Sequence, residues 1–435
     1  MKKSILLFLI SVFYFTGSYC QFSPGYFALR DISIIDCISK NVKSHYTIII
    51  RDNLIETVGP AKDISIPDSA VVFYYPGKYL IPGLIDSHVH LATEPTVTDN
   101  RIRAQNDLKE MLLSGITSVR DMAGDARALA SLSRDAELDE IISPDIYYAA
   151  LMAGPAFFKD PRTHQSTQGG IAGEMPFMKE VTDSTDLQIA VAEARGSGAT
   201  AIKLYAELSG GLAKKITTEA HRQHMLVWSH ANLDDATALE VINAGVNSIS
   251  HAAMVSGWNS RTVPAVCLKS GLSKTFWDSL FMSMPVEDLI KAMQANKTIL
   301  DATMLIFKEA GLDTSITAQR RLAWAAMYEI GKRFTILARE KGIPVCAGTD
   351  LDEKKFVQRE MKLLVKECFF SPMEALISAT KNSALAIGIE NTTGTIQKGK
   401  IANLVLLSGN PAEDIENIDK VELVIKNGKL FKANN

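Results

Sequence analysis

Between residues 84 and 350 the chain runs through eight short apolar stretches that alternate with helical patterns, and this alternation constrains the fold more than any other feature. The stretches are 84–90, 116–121, 146–151, 199–205, 225–230, 246–251, 298–304 and 343–350. Apolar strands separated by amphipathic helices are the signature of βα units and a parallel sheet, and eight of them predict a closed barrel. Helices are expected at 103–113, 184–195, 234–244, 286–295 and 318–341. Gly115, Gly198, Gly245 and Gly342 follow helical stretches and precede the next strand, where a helix C-terminus favours a left-handed residue. The flanks have another texture: 26–80 and the last fifty residues read as short strands broken by turn residues, with Asn427-Gly428 as a hairpin turn. The expected organisation is a (β/α)8 TIM barrel over 81–390, with a small β-sandwich built jointly from 21–80 and 391–435. A length of 435 residues suits a large barrel with such an appendage.

Catalytic groups in a barrel of this kind gather where the strand C-termini converge. Strand one ends in His88-Val89-His90, whose two imidazoles share a face because strand side chains alternate. Strand four carries Lys203, strand five ends in His230, strand six in His251 and strand eight in Asp350. Four of the eight histidines thus fall at strand ends. Singly each is an ordinary buried or capping residue; together they predict a metal site. Imidazole and carboxylate donors without thiolate favour Zn2+, with manganese, iron or cobalt as other candidates.

With 47% hydrophobic residues, 22% charged and a net charge of -3, the composition is that of a globular protein and shows no basic field for nucleic acid. Lys2 and Lys3, the apolar run 5–15 and the small residues Ser18 and Cys20 read as a secretory signal peptide over 1–20, cleaved before Gln21. A periplasmic or secreted protein is expected, with no membrane span after cleavage. A lipoprotein acylated at Cys20 is the weaker alternative, because Tyr19 is not small. Cys37, Cys267, Cys346 and Cys368 are scattered without Cys-x-x-Cys pairing, against a disulfide framework or thiolate site. The expected partner is a small-molecule substrate, and self-association as a homo-oligomer is compatible with the sequence.

The segments 79–86 leading into His-x-His, the strand-end histidines, Ala347-Gly348-Thr349-Asp350 and the closing run 394–404 together resemble the amidohydrolase superfamily, in its imidazolonepropionase-like and Xaa-Pro dipeptidase-like branch. The resemblance implies a binuclear metal centre: His88 and His90 on one ion, His230 and His251 on the other, and Lys203 carboxylated as the bridge. The physical route is that a buried lysine loses its proton, and the neutral amine takes up carbon dioxide. The alternative is a plain lysine paired with an acid such as Glu207. Asp350 would ligate a metal and act as the catalytic base for metal-activated hydroxide. The implied activity is hydrolysis of an amide or peptide bond in a dipeptide, N-acyl amino acid or cyclic amide. The alternatives are a mononuclear hydrolase, deaminase or lactonase of the same superfamily, or a binding protein that has lost catalysis.

Around the mouth the chain departs from its relatives, with Asn232 after strand five, Ala252 after strand six and 162–170 in the long connection 154–182. That connection is long enough to be a functional loop over the site. Arg162 and His164 are candidates for reading a substrate carboxylate, and Tyr205 and Asn232 for other substrate contacts. Arg120 and Asp121 read as an ion pair stiffening the mouth, His221 and His224 as solvated surface, and Trp228 as barrel packing.

Overall fold

The structure is a computed structural model that describes residues 21–22, 25–92, 100–351 and 357–433. The signal peptide expected at 1–20 lies outside them. Eight parallel strands form the barrel: Leu84–Val89, Ile116–Asp121, Asp145–Ala153, Ala201–Leu204, Leu226–His230, Ser248–Ser250, Ile299–Asp301 and Val345–Cys346. Each pairs with its neighbour in chain order. Strand one and the extension of strand eight close the ring through Ser87 N to Ala347 O at 2.9 Å and Asp350 N to His88 O at 2.8 Å.

All five expected helices are present, over Arg101–Leu113, Leu187–Gly196, Ala238–Asn243, Val286–Asn296 and Ala318–Glu340. Oxygen side chains one residue ahead of the helical turn start three of them, with Asp186, Thr237 and Thr317 accepting backbone N–H groups. The four interstrand glycines take positive φ, from 74° at Gly342 to 103° at Gly115, as a left-handed helix end requires. Further helices over Ala126–Glu137 and Gly210–Arg222 complete the outer layer. The connection 154–182 is not an open loop: it holds a 3-10 turn, Pro155–Lys159, a short helix, Pro161–Ser166, and a small hairpin between Glu174–Met175 and Met178–Glu180.

Segments on both sides of the barrel sequence, 21–82 and 404–432, enter one nine-stranded sheet. Strand Tyr79–Pro82 is its joint, pairing antiparallel with Leu404–Leu407 and parallel with Tyr26–Ile34. Phe27, Leu29, Ile48 and Ile50 from the N-terminal part share one core with Leu404, Leu406, Ile425 and Leu430 from the C-terminal part. The sheet meets the barrel at the strand starts. Lys426 bridges to Asp145 at 2.8 Å, and Val405 lies against Gly115. Gly83 leads from this sheet into strand one, where a Cβ would stand 2.1 Å from Thr117 Oγ1, so the two layers approach too closely for a side chain there.

Candidate active site

Strand one delivers His88 and His90 to the mouth. The His88 and His90 rings lie 5.3 Å apart, His88 and His251 5.0 Å, and His230 and His251 4.8 Å. Asp350 stands among them: its Oδ1 is 3.2 Å from His90 Nε2 and 3.5 Å from His88 Nε2, and its Oδ2 is 3.7 Å from His251 Nδ1. His88, His251 and Asp350 each offer a donor atom, all within 4.8 Å of one another. The backbone is strained where these groups turn inward, with φ of 72° at His251, 45° at Thr303 and 50° at Asp350. Non-glycine residues in this region cost energy and tend to collect at functional sites.

Burial is the first cause of the electrostatics. It pushes His251 down to about 3, and it lowers His88 and drives His230 well below its ordinary value. The three imidazoles are therefore neutral at pH 7, the form that binds metal. Burial would raise Asp350, but His88, the hydrogen bond from His90 and His251 outweigh it and hold the carboxyl well below the usual range. Lys203 is fully buried, and its ammonium is pushed down to about 7 by desolvation. Its Nζ reaches Ser250 Oγ at 3.3 Å, and the acids acting on it are Asp301 and Asp350. The Glu207 pairing is not formed.

A cavity of about 450 Å³ opens over this cluster and is lined by His90, His230, His251 and Asp350. Its walls are largely apolar, with Phe157, Tyr205, Phe307 and Trp324 prominent. Tyr205 packs on His230 at 4.1 Å between ring centroids and on Phe157 at 4.6 Å. The connection 154–182 does cover the site, through Phe157, Arg162, Thr163, Ser166 and Met178. Arg162 lines the cavity, and its guanidinium engages Asp160 through Nε and Nη2, with Nη2 to Oδ2 at 2.8 Å. His164 is exposed and Asn232 is nearly buried, and neither lines the cavity. The Asn232 amide instead donates to Gly257 O at 3.1 Å, tying down the loop after strand six.

The expected Arg120–Asp121 ion pair is not there. Arg120 points into the barrel, fully buried, and bonds Asp301 Oδ2 at 2.8 Å, while Asp121 accepts from the backbone N–H groups of Leu91 and Ala123. Adjacent strand residues face opposite ways, so the two cannot meet. Trp228 is packing, as expected: it is fully buried beneath the Arg120 guanidinium and donates to Ala386 O. His221 and His224 are exposed. The four described cysteines, Cys37, Cys267, Cys346 and Cys368, are free and buried. Sequence reasoning missed Asp86, Asp301 and Glu360, three acids with no exposed surface. The available signal was an acid inside an apolar strand or helix face, which must find a partner when buried.

The donor set suits a divalent metal: neutral imidazoles, an ionised carboxylate and no thiolate, converging on one polar floor. A model of the amidohydrolase family matches residues 79–431. The ochratoxinase of Aspergillus niger is 25% identical over 449 aligned positions, covering 89% of this chain and 82% of that protein. The imidazolonepropionase of Idiomarina loihiensis is 22% identical, covering 85% and 87%. A solved Xaa-Pro dipeptidase with methionine in its active site superposes with a TM-score of 0.74 at 23% identity, over 94% of this chain and all of that one.

Proposed function

The chain belongs to the amidohydrolase family, hydrolases of carbon–nitrogen bonds, and we propose that it is an exported, metal-dependent enzyme that opens an amide or peptide bond in a small substrate. The observation that carries this reading is the convergence of His88, His90 and His251 on Asp350, with His230 beside His251, at the floor of an apolar cavity. In the proposed centre His88, His90, His230, His251, Asp350 and a carboxylated Lys203 hold two zinc ions. Bound there, the metals would supply acidified water and a polarised carbonyl, which amide hydrolysis requires.

The protein's own groups account for the rest. Asp350, ionised at neutral pH and facing the cavity, can take a proton from the attacking water and deliver it to the departing nitrogen. Lys203, with its ammonium pushed down to about 7, is available as the neutral amine whose lone pair attacks carbon dioxide, losing a proton to give the carbamate. Phe157, Phe307 and Trp324 exclude water and grip the apolar parts of the substrate. The cavity volume fits a dipeptide, an N-acyl amino acid or a cyclic amide. Export rests on the sequence of residues 1–20; among the described residues no helix is long and apolar enough to cross a membrane.

One observation favours a mononuclear alternative. Among the described residues, His88, His251 and Asp350 offer donor atoms all within 4.8 Å of one another, a set that draws one histidine from each of the two expected pairs and suits a single ion. Metal analysis separates the readings. About two zinc equivalents per chain, with Lys203→Ala losing both metal and activity, is the outcome expected of the binuclear centre. One equivalent, together with an indifferent Lys203→Ala, sinks it. A panel of dipeptides, N-acyl amino acids and cyclic amides then finds the substrate; metal-loaded protein that turns over none of them favours a binding role.

A further inference from the structure

Asp301, the last residue of strand seven, has no surface exposed and no place among the groups proposed above to hold metal. Its Oδ2 takes three hydrogen bonds: His88 Nδ1 at 2.7 Å, Arg120 Nη2 at 2.8 Å and Ser250 Oγ at 2.9 Å. Arg120 is itself held by Ser87 O and by Ser248 Oγ at 2.9 Å, and it lies over the Trp228 ring at 4.8 Å. The carboxylate is therefore fixed from strands one, two and six at once. Its second oxygen, Oδ1, has no hydrogen-bond partner and sits against Gly348.

Two consequences follow from this geometry. A carboxylate at 2.7 Å makes His88 Nδ1 the protonated nitrogen, which leaves the lone pair on Nε2, the atom facing Asp350 at 3.5 Å. Ser250 has one hydroxyl proton, and donating it to Asp301 leaves its oxygen to accept from Lys203 Nζ at 3.3 Å. One acid thus reaches both His88, expected on one ion, and Lys203, the expected bridge between the two.

We propose that Asp301 is a positioning residue for that whole centre, setting the tautomer of His88 directly and the placement of Lys203 through Ser250. The inference rests on the metal-dependent reading. A merely structural Arg120–Asp301 pair would stabilise the barrel and leave metal affinity alone, whereas an orienting acid tunes affinity. Outer partners of metal-bound histidine are typically worth about 10–100-fold in metal binding.

The test compares wild type with Asp301→Asn and Ser250→Ala, measuring zinc dissociation by competition with a chromophoric chelator and folding by circular dichroism of the metal-free proteins. Asp301→Asn is expected to weaken zinc binding by about 10–100-fold while its metal-free form stays folded, and excess zinc restores part of its activity. Ser250→Ala, which cuts the path to the bridging Lys203 and leaves the His88–Asp301 bond in place, is expected to weaken zinc binding less than Asp301→Asn does. Wild-type affinity in both variants overturns the proposal. Should Asp301→Asn fail to fold, Ser250→Ala decides: unchanged affinity overturns the proposal and weakened affinity upholds it. Wild-type protein that binds no zinc defeats the metal reading itself, a result these variants cannot mimic.

Discussion

Gly348, just past strand eight, sits tight against strand one. A Cβ there would stand 2.6 Å from His88 Cβ, 2.9 Å from His88 N and 2.8 Å from Asp301 Oδ1, inside any tolerable contact. Gly348→Ala must therefore push His88 or Asp301 aside. Overpacking of this kind costs about 1–3 kcal/mol, and the displaced groups are the ones proposed to hold and orient metal. Lower thermal stability together with reduced zinc content is expected; a variant with the melting temperature and metal content of wild type would refute this account. The same neighbourhood explains what could be read at the residue scale. Groups that end strands and face the mouth, His88 to Asp350, were visible because strand periodicity places them. Asp86 was not: its carboxylate lies inside, accepting from the backbone N–H groups of His88 and Thr349 and from Thr349 Oγ1 at 2.8 Å. Its partner is hundreds of residues away in the chain, so local pattern carries no trace of the pairing. The positions of His164 and Asn232, off the cavity wall, were illegible for a related reason. Their role depended on how an irregular connection folds, and no periodicity governs that.

At the scale of elements, the strands and five of the helices were legible because apolar spacing of 2 or 3.6 residues persists across them, while Ala126–Glu137 and Val357–Cys368 went unread. The helix Met304–Leu312 was not legible either, since it is apolar on most sides and begins at Thr303 with a φ of 45°. Its start is completed from elsewhere. Glu360, on the helix Val357–Cys368, accepts the backbone N–H of Met304 at 2.9 Å and of Leu305 at 2.7 Å. Because Met304–Leu312 carries Ile306 and Phe307 into the cavity, Glu360 supports the substrate wall from behind. Burial pushes its carboxyl from the ordinary 4.5 to about 8. A folded state that keeps a proton the unfolded state has released is favoured at low pH. The contribution of Glu360 is thus fully present below about pH 4.5 and is lost as pH rises through about 8. Melting temperatures across this window should show a downward slope that Glu360→Gln flattens. An equal slope in the variant would count against it.

At the scale of the whole molecule, the terminal sheet is part of the barrel's support. Val405, Leu407, Ile415 and Ile418 belong to the barrel's own apolar core, while Leu404, Leu406, Ile425 and Leu430 fill the core of the sheet. A chain ending at residue 403 would strip strand Tyr79–Pro82 of its antiparallel partner and open both cores. It is expected to be insoluble or to lack a cooperative melt, and a truncated barrel that melts sharply and still binds zinc would contradict this. The joint between strands one and eight has a further consequence, in time. Asp86 meets Thr349 across 263 residues of chain, and the same meeting brings Asp350 to the histidines. Contacts so distant form late, because the loop between them must first be ordered. A chain still emerging from the ribosome holds His88 and His90 with nothing to close on. The site comes into being only when the barrel does, so metal would be taken up in whatever compartment the chain finishes folding in.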